Sequence, residues 1–128
     1  MAPSRSAFSY AVVRVVPDIE REEFLNAGLI MFSRPHEYLV ARTRLDTVAL
    51  DALRPDCDVE GISNQLRFIE EVASGDVTGP FGAMSQSERF HWLTTPRSTL
   101  VQTGPLRTGT TDDPAETFEH LYGLMVDR

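Results

Sequence analysis

Apolar positions fall into two kinds of pattern along this chain. Up to residue 43 they form β-branched and aromatic runs; beyond residue 46 they recur three and four apart. Phe8 to Val16 (F-S-Y-A-V-V-R-V-V) has no turn residue and predicts a strand, which Pro17 should end. Asp18 can cap a short helical turn through Glu20, Glu23 and Phe24, and Asn26 and Gly28 should break it. Leu29-Ile30-Met31-Phe32 reads as a buried central strand. Arg34 to Glu37 is a turn and Tyr38 to Thr43 a third strand, so the pair predicts an antiparallel hairpin.

The second half reads as mostly helical. Asp46 caps Thr47 to Arg54, and Pro55 stops that helix. Asp58 caps a longer one whose apolar stripe is Val59, Ile62, Leu66, Ile69 and Ala73, with Gly75 as its end. Residues 75–84 read as a loop. Ser85 and Glu88 form a capping box for a helix to about Leu93. Arg97 to Gln102 reads as a fourth strand and Thr103 to Thr111 as loop. Asp113 and Glu116 form a second capping box, with Phe118, Leu121, Tyr122 and Met125 as the buried stripe. Strands early and helices late predict an α+β fold: a small antiparallel sheet of three to four strands packed against three to four helices. The 128 residues are expected to form a single domain with residues 1–6 as a disordered lead.

Charge and composition narrow the function. Acidic residues outnumber basic ones by 19 to 12, a net charge of −7, which disfavours general nucleic-acid binding. Every basic residue is Arg, in keeping with a GC-rich coding sequence. The lack of Lys excludes a Schiff-base lysine, a Walker-A lysine and a kinase-type strand lysine. No apolar run reaches the roughly 18–20 residues of a membrane span. The start has no apolar signal core, and the lone Cys57 fits a reducing compartment, so a cytoplasmic protein is expected.

Motifs with strong chemistry are scarce. His36, His91 and His120 are far apart, and Glu116 and His120 read as an exposed helical pair, so no metal site and no cofactor are expected. There is no G-x-S-x-G elbow, and Cys57 sits between two carboxylates, a poor setting for a nucleophile. Gly75, Gly79 and Gly82 follow no strand, so they do not make a nucleotide loop.

Two places remain as binding candidates. Arg97, Ser98 and Thr99, with Arg107 and Thr108 ahead of the last helix, combine two guanidinium forks with hydroxyls and a helix start. Asp112 and Asp113 compete there for the same donors. The second place is Arg14, in phase with Tyr10, Val12 and Val16 in an apolar strand. It needs a partner, and Glu23 is within reach; a structural pair and a ligand-clamping Arg are both open.

Tyr10-x3-Arg14-x2-Pro17 followed by Glu23-x2-Asn26-x-Gly28 resembles the start of a bacterial domain-of-unknown-function family, DUF3037. Glu88-Arg89-Phe90-x-Trp92-Leu93-x2-Pro96-Arg97-Ser98-Thr99-x2-Gln102, then Thr108-Gly109-x2-Asp112-Asp113-Pro114, is similar to the same family. The middle helices carry little of the likeness. Where the family pattern has a Pro-rich step and a His, this chain has Thr103 to Arg107. The resemblance implies a small bacterial protein, often encoded beside a HipA-like kinase and so a partner or regulator of it. Two readings stand. One is a binding or accessory module, antitoxin-like towards such a kinase. The other is a small enzyme acting on a phosphorylated or carboxylated ligand held by Arg97 and Arg107. Family alone decides neither.

Overall fold

The structure, a computed structural model, describes residues 5–76, 78–97 and 99–127. A long first strand, β1 (Ser6–Asp18), is its axis. On one side it pairs antiparallel with β2 (Glu23–Ser33), which in turn pairs with β3 (Tyr38–Thr43). On its other side two strands share its length. β5 (Arg107–Thr111) lies along the first half and β4 (Val101–Thr103) along the second, both antiparallel. The helices are α1 (Thr47–Leu53), α2 (Val59–Ser74), α3 (Gln86–Leu93) and α4 (Pro114–Met125). The α+β architecture is as the patterning predicts. The sheet has five strands because 107–111, read as loop, is β5.

The sheet is covered on both faces, which explains why β2 is apolar without alternation. Val13, Val15 and Ile30 point to α1, α2 and α3, where Leu50, Leu66, Val72 and Phe90 complete one core. Phe8, Leu29 and Met31 point the other way, to Phe118 and Tyr122 of α4. Within α2 the buried residues are Ile62, Leu66, Ile69, Val72 and Ala73; Val59, expected in the stripe, is 40% exposed. It stands in the first turn, ahead of the stretch that meets the sheet.

Two expected breaks turn out to be irregularities inside long strands. Pro17 does not end β1. It lies where the β1–β2 register shifts between Val15 and Asp18, so its missing N–H costs no ladder bond. Asn26 and Gly28 do not end a turn either. They flank a bulge in β2, where Val13 faces Gly28 and Arg14 faces Asn26, leaving Ala27 as the extra residue. A Cβ at Gly28 would stand 2.8 Å from the Arg42 carbonyl oxygen, so the close β3 crossing needs glycine there. The turn that Asp18 caps is one 3₁₀ turn, Ile19–Arg21, closed by Glu22 with φ 55°.

Caps behave mostly as the sequence predicts. Asp46, Asp58 and Ser85 accept from backbone N–H groups of the first turns of α1, α2 and α3, and the Ser85–Glu88 box is reciprocal. At α4 Asp113 accepts from the Glu116 N–H, but the Asp113 N–H goes to Thr111 Oγ1, so only half of that box forms. Of the expected lead, Ser6 begins β1 and Arg5 donates to the Thr110 carbonyl; residues 1–4 lie outside the described residues. Among the described residues no helix is long and apolar enough to cross a membrane.

Candidate functional site

The first candidate place does not assemble. Arg97 is not in a strand; β4 begins only at Val101. Its guanidinium stands over the Trp92 ring, with Cζ 3.9 Å from the centroid, and Nη2 donates to the Trp92 carbonyl at 2.8 Å. Burial pushes its pKa below the usual guanidinium range. Trp92 packs in turn on Phe81 and Phe68. Thr99 is held locally by a bond from its Oγ1 to the Val101 carbonyl, and Ser98 lies outside the described residues. Arg97 and Thr99 therefore edge a cleft of about 330 Å³ on the α2 side, shared with Asn64, Gln65 and Phe68.

Arg107 is on the opposite face. It sits in β5 directly across from Tyr10 of β1, and residues directly opposite in an antiparallel pair share a face. Tyr10 packs with the α4 core, so Arg107 belongs to the α4 side and cannot meet Arg97. Thr108, opposite Ser9, alternates to the other face and is exposed. The expected convergence of two forks from Arg97 and Arg107 is thus replaced by two separate places. The error came from extending β4 back to Arg97 and from reading β5 as loop.

Arg14 is where residues do converge. It faces Asn26 on β2 and Gln102 on β4, so all three side chains share the α4 face. The expected partner, Glu23, is taken by Arg21, with Nε to Oε1 at 2.5 Å. Glu23 aligns with Asp18, beyond the second register shift and out of phase with Arg14. Arg14 lies instead in a slot. One side of the guanidinium meets the Phe24 ring, with Cζ 4.1 Å from the centroid. Against it also lies the Gly104 backbone, where a Cβ would stand 3.0–3.1 Å from Cζ, Nε and Nη2. Nε is buried and has no hydrogen-bond partner. Gly104 is fixed by its N–H bond of 2.8 Å to the Val12 carbonyl.

Two clefts flank this slot. One, about 400 Å³, is edged by Arg14, Val16, Ile19, Glu22 and Phe24. The other, about 150 Å³, is edged by Tyr10, Arg14, Pro105, Arg107 and Met125. Ile19 and Phe24 are 48% and 45% exposed, large values for such side chains beside a fixed cation. Asn26 donates from Nδ2 to the carbonyl of Met125, the α4 residue that edges the smaller cleft. Sequence reading named Arg14 and Arg107 but put them in different constellations. It missed Phe24, Gln102 and Gly104; the one signal was Gly104-Pro105 between two hydroxyl-rich stretches. Among the described residues no three His, Cys, Asp or Glu side chains gather as a metal would need.

The pattern of the DUF3037 family, described as proteins of unknown function, matches residues 10–126. The chain belongs to the DUF3037 family. That match spans both faces of the sheet and includes the Arg14 slot. No curated protein and no solved structure matches the chain.

Proposed function

We propose that this DUF3037 protein is a binding module, an accessory or antitoxin-like partner of a HipA-like kinase, that docks through the surface around Arg14. The observation that carries the reading is the Arg14 slot itself. A cation immobilised between an aromatic ring and a glycine, with exposed Ile19 and Phe24 beside it, has the makeup of a docking hot spot. Aromatic and Arg anchors lose little entropy on binding when they are already fixed. Charge supports the same surface. In a chain of net charge −7, Arg14 and Arg107 are among the described Arg side chains without an acidic partner, and these two edge the same cleft. The kinase is the partner that the family resemblance implies.

The test is calorimetric titration of the protein into a HipA-like kinase encoded beside it. Wild type should bind, and Phe24→Ala and Arg107→Gln should each weaken binding by roughly tenfold or more. Both positions are exposed, so neither change should alter the fold. Binding unaffected by either change would move the docking surface elsewhere. No binding by the wild type would remove the kinase as partner.

A further inference from the structure

We propose that the smaller cleft beside Arg14 is a carboxylate site, built to take one Asp or Glu side chain of a protein partner. The inference deepens the docking reading by naming the group that the surface receives. Arg14 and Arg107 edge the same cleft of about 150 Å³, room for a single small group. They reach it from adjacent strands, because Arg107 is opposite Tyr10 and Tyr10 is one same-face step plus another from Arg14 along β1. Nε of Arg14 is already stripped of water, so that part of the desolvation cost is met in the fold. With Nε sealed, an incoming oxygen approaches the Nη end. A second guanidinium, exposed and free of ion pairs among the described residues, supplies the other contact.

Two features choose the ligand and the side. The remaining walls include Val12, Pro105 and Met125, which suit the methylene stem of an acidic side chain. A phosphate dianion would lose more hydration against such walls. On the far side of Arg14 the larger cleft carries Glu22, whose carboxylate repels an anion, so the site lies on the Arg107 side. Gly104 sets the geometry, since a methyl there would press on the guanidinium from 3.0 Å.

The probe is sodium acetate, followed by backbone amide shifts at constant ionic strength, with inorganic phosphate in a parallel titration. Wild type should give saturable acetate shifts at Gln102, Gly104 and Arg107, with phosphate binding more weakly. Arg107→Gln, at an exposed position, should weaken acetate by at least fivefold while leaving other shifts in place. Gly104→Ala should do the same by displacing Arg14. Non-saturating acetate shifts, equal binding in Arg107→Gln, or tighter binding of phosphate than acetate would each overturn the site. Kinase binding is measured separately, so a failed acetate titration with an intact kinase complex would remove this site and leave the docking reading standing.

Discussion

Among the described residues two guanidinium groups have an Nε that is buried without a hydrogen-bond partner, and their settings differ. Arg14 opens onto clefts. Arg89 is only 9% exposed, and its guanidinium donates from Nη1 to the Met84 carbonyl at 2.7 Å. It lies under the end of α2, where Gly75 caps the helix with φ 77° and a Cβ would stand 3.4 Å from the guanidinium. The carbonyl end of a helix favours a cation, which offsets part of the cost of burial. The long stem also fills space between α2 and α3. These contributions separate by substitution. Arg89→Met keeps the stem and removes the charge, and should change stability by less than about 1 kcal/mol. Arg89→Ala also removes the stem and should cost about 2–4 kcal/mol. Urea unfolding measures both; a Met variant as unstable as the Ala variant would show that the charge, not the packing, matters. Nothing in the sequence around Arg89 marks it as buried, because it follows Glu88 in a well-capped helix start.

Helices were legible as elements because caps and stripes are local signals. The Asp113 cap and the three-and-four spacing locate α4 to within a residue or two. Depth was less legible. Phe118 is 1% exposed, whereas Leu121, in the same predicted stripe, is only partly buried. Arg42 of β3 reaches over Phe118 and Tyr122 and forms two bonds to Glu119, at 2.7 and 2.6 Å. That clamp centres α4 on Phe118. Phe118→Ala should therefore cost about 3–5 kcal/mol and Leu121→Ala less than about 2 kcal/mol. Thermal unfolding of the two variants decides it, and a larger loss at Leu121 would mean that α4 is rotated on the sheet. β4 is expected from Arg97 and begins at Val101; β5 reads as loop for a different reason. R-T-G-T-T has no apolar residue, and its extended form comes from pairing with β1 about a hundred residues away. Gly109 looked like a loop residue. It is instead the place where the Phe8 ring crosses β5, since a Cβ there would stand 2.8 Å from Phe8 Cζ.

At the scale of the molecule, the candidate site depends on the same long-range pairings that local patterns could not supply. Arg14 and Arg107 both stood out as residues. Only the β1–β4 and β1–β5 registers bring Gln102, Gly104 and Arg107 to the face that carries Arg14. β1 is thus paired along both edges, with β2 on one and β4 and β5 on the other, and covered on both faces. Its amides can exchange with solvent only when the sheet itself opens. β4, by contrast, is three residues long and has one partner. Its loss would expose little apolar surface besides Val101. Hydrogen exchange should accordingly rank the amides of Ala11 to Val15 near the global unfolding free energy and those of Gln102 and Gly104, which face β1, well below it. The order matters for recognition, because opening β4 removes Gly104 from its place against Arg14 and dissolves the slot. A partner that fills the slot should slow exchange in β4 much more than in β1. Equal protection of β1 and β4 in the free protein would show instead that the sheet opens as one unit and that the slot is as rigid as the core.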